Sequence, residues 1–323
     1  MNSIASRLLA AFIISLGLFA SAAAQDFPSR PVRLIIGFGA GGLGDMAGRA
    51  LAQQLSTTLG KPVIVENMPG AGGSTAASTA ARAAPDGHTM LWVSGQNAIA
   101  PSMFKSLPYN WATDLAPVAP VGKFDYIIVV GKDSPFKTLR EAIDASKKDP
   151  AKFNIGVISA GSAQHLNALW FRSITGMDVP TVLFRTTGEL VGALIAGNVQ
   201  MVFETLPGVV AQVQAGTLRA LAVSSDKRLA SLPNVPTAAE AGVPEYKMTS
   251  WNGIVVPAKT PRDIVMRLNK ELALAVATDA VKKRFAELNV DPLTGSPEDL
   301  QNIFQSDLER WRQVITDAKI QPQ

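Results

Sequence analysis

The feature that most constrains the fold is a strand, a glycine-rich turn and a helix in immediate succession. Val32–Ile36 is a short apolar run that stops at Gly37-Phe38-Gly39-Ala40-Gly41-Gly42. From Leu43 to Leu59, apolar residues recur at 43, 46, 47, 50, 51, 55 and 59, a helical period, and Gly60 with Pro62 ends the helix. The pattern then repeats. Val63–Val65 reads as a strand, Asn67 to Gly73 as a second glycine-rich turn, and an alanine-rich helix runs to about Ala83 before the strand Thr89–Val93. Strands and helices alternating at this pitch predict a parallel α/β architecture.

The same alternation restarts after residue 124. Expected strands are Tyr126–Val130, Asn154–Ser159, Thr181–Phe184, Gln200–Phe203 and Leu218–Val223. Expected helices are Leu139–Ser146, Gln164–Ile174, Leu190–Ile195 and Val209–Val213. A proline-rich loop with Pro233, Pro236 and Pro244 leads to the strand Gly253–Val256. Thr260 is expected to cap a helix with Pro261 at its first position. The last helix opens at Ser296-Pro297 and places Leu300, Ile303, Phe304, Leu308, Trp311 and Ile315 on one face. At roughly 100–200 residues per domain, a chain of 323 residues accommodates two such units. The absence of a low-complexity linker predicts two lobes joined by direct strand crossovers.

The N-terminus reads as a leader. Arg7 precedes an apolar run from Leu8 to Ala20 and the small-residue exit Ser21-Ala22-Ala23-Ala24, the three-part pattern of a secretory signal peptide. The run is shorter than the roughly 20 residues of a membrane span. Cleavage after Ala24 would leave 299 residues. An exported chain without cysteine points to a bacterial periplasm, where a large core makes disulfides dispensable.

Composition removes several chemistries. Zero cysteines exclude thiolate metal sites, iron–sulfur ligation and a Cys nucleophile, and the two histidines, His88 and His165, are far apart. No metal or cofactor is expected. The net charge of +4 comes without a basic block, so nucleic acid is not an expected partner. Gly37-x-Gly39-x-x-Gly42 followed 24 residues later by Glu66 matches a dinucleotide-binding fingerprint, which keeps an exported NAD(P)-binding oxidoreductase as an alternative. No G-x-S-x-G elbow occurs, and Ser162 with His165 lacks an acidic third member for a hydrolase. His88 reads as a surface or strand-edge residue, Asp45 as a helix-dipole partner, and Trp170 and Trp251 as packing. The two strand-to-helix turns remain. A glycine-rich turn at a helix N-terminus offers N–H groups and a positive dipole end to an anion. One such turn precedes Leu43, and a second, Ser159-Ala160-Gly161-Ser162, precedes His165, so the pair describes a clamp for a small acid.

A set of ordered segments extends the reading across the chain. They are Phe27-Pro28-Ser29-Arg30-Pro31-Val32-Arg33-Leu34-Ile35-Ile36, Gly41-Gly42-x-x-Asp45, Val65 to Gly73, Ala84-Pro85-Asp86-Gly87, Leu218 to Val223, Leu232 to Thr237 with Glu240-Ala241-Gly242, Trp251-Asn252-Gly253, and Pro257-Ala258-x-Thr260-Pro261. In this order they resemble the Bug-type periplasmic solute-binding receptors of tripartite tricarboxylate transporters. The resemblance implies a type II periplasmic-binding fold, with lobe 1 at 25–124 plus 247–323 and lobe 2 at 125–246. It implies a non-enzymatic receptor that closes on an organic acid and passes it to the membrane components of the transporter. A sensor kinase is the alternative recipient, and a monomer is expected.

The site implied by the resemblance comprises Phe38, Gly39, Ala40, Gly41 and Gly42 in the first loop, then Ser94, Gln96 and Asn97. From the second lobe it takes Ser159, Ala160, Gly161, Ser162, His165, Phe184, Arg185, Thr186, Thr187 and Glu204. The family pattern has prolines where Gly37, Gly39 and Ala40 stand here. It has Val-Pro-Tyr-Lys-Gly in place of Val182-Leu183-Phe184-Arg185-Thr186, so the distal end of the ligand is expected to differ. Glu204 stands where Asp is usual, either to serve an amino-bearing ligand or to pair with Arg185.

Overall fold

The computed structural model describes residues 27–158, 162–317 and 320. The signal-peptide reading and the positions Ser159, Ala160 and Gly161 therefore lie outside the described residues. In chain order the strands are β1 (Val32–Ile36), β2 (Val63–Asn67), β3 (Thr89–Ser94), β4 (Leu115–Gly131), β5 (Ile155–Ile158), β6 (Thr181–Phe184), β7 (Met201–Thr205), β8 (Leu218–Val223), β9 (Thr249–Pro257) and β10 (Asp291–Pro292). The α-helices are α1 (Leu43–Leu59), α2 (Ser74–Ala81), α3 (Gly95–Met103), α4 (Trp111–Asp114), α5 (Leu139–Lys148), α6 (Ala163–Thr175), α7 (Thr187–Ile195), α8 (Leu206–Gln214), α9 (Arg262–Ala277), α10 (Asp279–Glu287) and α11 (Pro297–Asp317).

The strands join in the order β2-β1-β3-β9-β4-β7-β5-β6, with β10 and β8 also paired to β4. β1 runs parallel to both β2 and β3, and β5 runs parallel to β6 and β7, as the alternating sequence pattern predicts. The antiparallel strands β9 and β4 join the two halves. β4 pairs with β9 from Leu115 to Asp125 and then with β7 and β8 from Tyr126 onward. This 17-residue strand begins 11 positions before the expected one. Its first part carries Pro117 and Pro120, which lack the N–H a ladder needs, and the register against β9 shifts beside each of them. Prolines that argue against a strand in the sequence are here absorbed as bulges.

Side-chain alternation along β4 divides the core. Ile128 and Val130 face the larger cluster, which includes Leu139, Phe171 and Phe203. Ile127 and Val129 face a smaller one with Leu190, Leu206 and Val209. The crossing point is stitched by side chains. Tyr126 N–H donates to Ser224 Oγ at 2.8 Å, Ser224 Oγ donates to the Met248 carbonyl, and Thr249 Oγ1 donates to Asp125 Oδ1 at 2.7 Å. Helix α11 packs against both α3 and α6. Its expected apolar face buries Leu300, Phe304, Trp311 and Ile315. Phe304 stacks on Trp111 with ring centroids 3.7 Å apart.

Three local expectations are corrected. Pro261 is the N-cap of α9 rather than its first residue, and Thr260 Oγ1 donates to the Pro257 carbonyl instead of capping. Helix α3 was not anticipated, because Pro101 lies inside it. His88 is buried rather than superficial: its Nε2 accepts from Ser29 N–H at 3.1 Å, fixing the segment before β1. No described helix is long and apolar enough to cross a membrane.

Candidate functional site

A cavity of about 740 Å³ lies where the carboxyl ends of β1, β3, β5, β6 and β7 meet, the customary location for ligands in open α/β sheets. Its volume falls within the range of small-molecule sites. One wall is the turn from Phe38 to Gly44, with Ser94 and Gln96 beside it. The floor is formed by Phe124 and Tyr126 of β4 and by Ser250 and Asn252 of β9. The opposite wall comes from Ala163, Gln164, Arg185, Thr186, Thr187, Glu204, Thr205, Pro207 and Gly208.

The first turn has its shape for identifiable reasons. Gly41 sits at φ +80°, where a side chain would be strained. A Cβ on Gly37 would come within 2.9 Å of the Gly73 backbone, so the close approach of the two glycine-rich turns requires glycine there. Gly42 is the N-cap of α1 and offers no side-chain acceptor to the first helical N–H groups. The turn is held from behind by Asp45, which is buried. Its Oδ2 accepts from Gly41 N–H at 2.9 Å, and its Oδ1 accepts from Arg49 Nε at 2.9 Å and Asn67 Nδ2 at 3.0 Å. Asn67 Nδ2 also donates to the Phe38 carbonyl at 3.1 Å, and Arg49 Nη2 donates to Asn67 Oδ1 at 3.0 Å. Burial pushes the Asp45 carboxyl up, but the hydrogen bonds from Arg49, Gly41 and Asn67 and the Arg49 charge outweigh it. The net shift is below the ordinary carboxylate value. Asp45 is therefore more than a dipole partner.

On the other wall, three helices begin at the cavity. Ser162 caps α6, its Oγ accepting from His165 N–H at 3.1 Å and donating to the Ile158 carbonyl. Thr186 caps α7 by accepting from Glu189 N–H at 3.2 Å. Thr205 is the N-cap of α8. Glu204 lies among them, 1% exposed. Its Oε1 accepts from Thr205 N–H at 2.7 Å, Gln164 Nε2 at 2.8 Å and Thr205 Oγ1 at 3.1 Å, and its Oε2 accepts from Thr187 Oγ1 at 3.2 Å. Burial raises the Glu204 carboxyl above the usual range against these opposing hydrogen bonds. The expected pairing with Arg185 is not made; the donors around Glu204 are neutral. One hydrogen bond spans the cavity, from Ala163 N–H of α6 to Gln96 Oε1 at 3.1 Å.

The structure thus brings Phe38, Gly39, Ala40, Gly41, Gly42, Ser94, Gln96, Arg185, Thr186, Thr187 and Glu204 to one cavity. Four further candidates are outside its lining. Asn97 is buried in a capping box, where its Oδ1 accepts from Ser94 N–H at 3.0 Å. Ser162 is engaged in its cap, His165 is half-buried on α6, and Phe184 packs against the smaller core cluster. Short polar residues at strand–helix junctions suit capping and ligand contact equally, which is why sequence groups them together. Asn252, Ser250, Gln164 and Thr205 were not anticipated. Asn252 reaches the cavity because β9 pairs with β3, Ser94 opposite Asn252, a non-local pairing without a local signal.

The nucleotide-binding pattern loses its acidic partner: both oxygens of Glu66 accept from Arg33, at 2.8 and 2.7 Å. No group of three or more potential metal ligands occurs among the described residues.

A family model described as the tripartite tricarboxylate transporter family receptor matches residues 47–320. The chain belongs to this receptor family. BugT of Bordetella pertussis is 33% identical over 322 residues, covering 98% of this chain and 99% of that protein. Among solved structures, Rpa4515 of Rhodopseudomonas palustris with adipate superposes with a TM-score of 0.83 at 31% identity, over 92% of this chain and 100% of the other. MatC of the same organism with bound malate gives 0.79 at 30% identity, over 90% and 100%. The fold is that of the type II periplasmic binding proteins, and the family neighbours are solute-binding proteins.

Proposed function

We propose that this receptor captures a small organic carboxylate in the cleft and delivers it to the membrane components of a tripartite tricarboxylate transporter, by binding alone. The observation that carries the reading is the Phe38–Gly42 turn at the uncapped N-terminus of α1, facing Arg185 and Thr187 across one cavity. Such an N-terminus favours a carboxylate through its free N–H groups and its dipole. The acids named with related structures, adipate and malate, fit a cavity of this size. Ligand contacts are assigned to Phe38, Gly39, Ala40, Gly41, Gly42, Ser94, Gln96, Arg185, Thr186, Thr187 and Glu204, with Asn252 and Gln164 added.

The lobes are assigned as 25–124 plus 247–323 and 125–246. The Asp125–Thr249 hydrogen bond at the β4–β9 crossing supports this division and a hinge there. The mature receptor would begin after Ala24 and work in the periplasm. The test is a thermal-shift screen with a panel of mono- and dicarboxylates and with NAD, together with mass spectrometry of acids recovered from the receptor purified from its native periplasm. A saturable shift with an acid is expected. A shift with NAD and with no acid would replace this reading by a nucleotide-binding one.

A further inference from the structure

Three helices of the second half, α6, α7 and α8, point their N-termini at one end of the cleft. A ligand carboxylate would be the natural partner for the donors there, but the protein supplies its own. Glu204, almost fully buried, draws Gln164 Nε2, Thr205 N–H, Thr205 Oγ1 and Thr187 Oγ1 onto its carboxylate. Its packing is tight, since a Cβ on Gly208 would come within 3.1 Å of the Glu204 side chain. The two oxygens are unequally served. Oε1 receives three donors within 3.1 Å, whereas Oε2 receives one, at 3.2 Å. Oε2, with a single long hydrogen bond, is the oxygen with room for a further donor.

The charges around the cleft sharpen this. Among its described lining residues, only Arg185 and Glu204 are charged. The Arg185 guanidinium makes no hydrogen bond or ion pair to any described residue, while Glu204 has neutral donors and no cation bound to it. A ligand carboxylate therefore has a cation at Arg185 and helix N–H groups at the start of α1, but beside Glu204 it meets acceptor oxygens onto which the local donors are already directed. Two acceptors brought together with no donor between them lose hydration without replacement, which discriminates by penalty as well as by contact.

Given the carboxylate-receptor reading, on which this step rests, we propose that the cleft selects acids carrying a hydroxyl or ammonium donor that completes the coordination of Glu204 Oε2, and rejects acids with a plain hydrocarbon chain at that position. Relatives with either kind of ligand are known in structure, adipate having no such donor and malate having one, so family membership alone does not decide the class. Glu204 would be the specificity-determining residue, with Gln164, Thr187 and Thr205 fixing its orientation.

The test is isothermal titration calorimetry of the full mature protein with matched series of acids: succinate, malate and aspartate; glutarate, 2-hydroxyglutarate and glutamate; propionate, lactate and alanine. In any series that binds, the hydroxy or amino member is expected to bind at least tenfold more tightly than the plain one. Glu204→Gln keeps the shape and an acceptor for Thr205 N–H but replaces the Oε2 acceptor by a donating NH2. This variant is expected to bring the members of a series within threefold of one another. A plain acid bound as tightly as its substituted partners by the unaltered protein overturns the proposal without any variant. Binding of none of these acids, with no acid recovered from the natively purified receptor, overturns the carboxylate reading instead.

Discussion

Asp45 is the most informative residue to perturb, because it is buried behind the first turn and should act on ligand only through it. In Asp45→Ala, Gly41 N–H, Asn67 Nδ2 and Arg49 Nε lose their acceptor. Arg49 has a half-exposed side chain and rehydrates. Asn67 keeps its bond to the Phe38 carbonyl. The net loss is then about two part-buried hydrogen bonds to a carboxylate, or about 2–3 kcal/mol of stability. For a chain of this size that is a fall in Tm of roughly 3–5 °C. The ligand sees a second effect. Freed from its anchor, the turn must be reordered on binding, at about 1 kcal/mol for each of the one or two residues released, so Kd rises roughly 5- to 30-fold.

Asp45→Asn separates the two effects. Its single oxygen can still serve Arg49 and Asn67, but its NH2 then opposes Gly41 N–H, so Kd should rise with a smaller fall in Tm. Thermal denaturation without ligand and calorimetry with the acid recovered from the native receptor read the two quantities. An unchanged Kd in both variants, at a lowered Tm, would refute the claim that this turn holds the ligand. The sign with pH follows from the lowered carboxyl value. Asp45 contributes stability above its unfolded value near 3.9, and that contribution is lost as pH falls through the lower folded one.

Glu66→Ala should change stability by less than about 1 kcal/mol, because its ion pair with Arg33 is about one-third exposed, and acid affinity should not move. A large loss of binding would return Glu66 to the site. Phe304→Ala removes a fully buried ring stacked on Trp111 and should cost about 3–5 kcal/mol, measured by urea denaturation; a loss below 1 kcal/mol would contradict the packing described. His165 is held below its ordinary value by burial and by the Arg172 charge, so its contribution is present above the unfolded value near 6.5 and is lost as pH falls through the lower folded one. His165→Gln should flatten that part of the stability profile, and an unchanged slope would show that His165 is not its source.

The legible parts of the fold were those whose signals are local. The β1–α1 unit could be read because a five-residue strand with four apolar residues, a glycine run and a helical period follow one another without interruption. Helix α11 could be read because one apolar face repeats over 21 residues. β4 was half read, since Pro117 and Pro120 carry the local signal of a break while β9 and β10 supply a pairing that tolerates it. The site divided in the same way. The glycines of the first turn are visible because backbone conformation demands them. Ser250 and Asn252 are not, because they reach the cavity only through the pairing of β9 between β3 and β4.

Each side of the cleft places an internal carboxylate at a helix N-terminus, and the contrast between the two explains more than either does alone. Asp45, in the first turn of α1, is ion-paired to Arg49 at 2.9 Å, so this side is close to neutral and retains the dipole of a 17-residue helix. Glu204, before α8, is met by an amide, a backbone N–H and two hydroxyls, with no cation bound to it, and burial raises its carboxyl above the usual range. Two helix N-termini that look equivalent in sequence are therefore served differently in the folded protein, one acid ion-paired and the other held by neutral donors. On the proposed reading, an acid entering the cleft would take one orientation, its carboxylate towards Gly42 and its donor towards Glu204. Reversal would set a carboxylate against the acceptor oxygens of Glu204 and leave the α1 terminus without an anion. Orientation would then follow from the asymmetry of two buried acids, and the chain between the ligand's two ends need only match the width of the cavity.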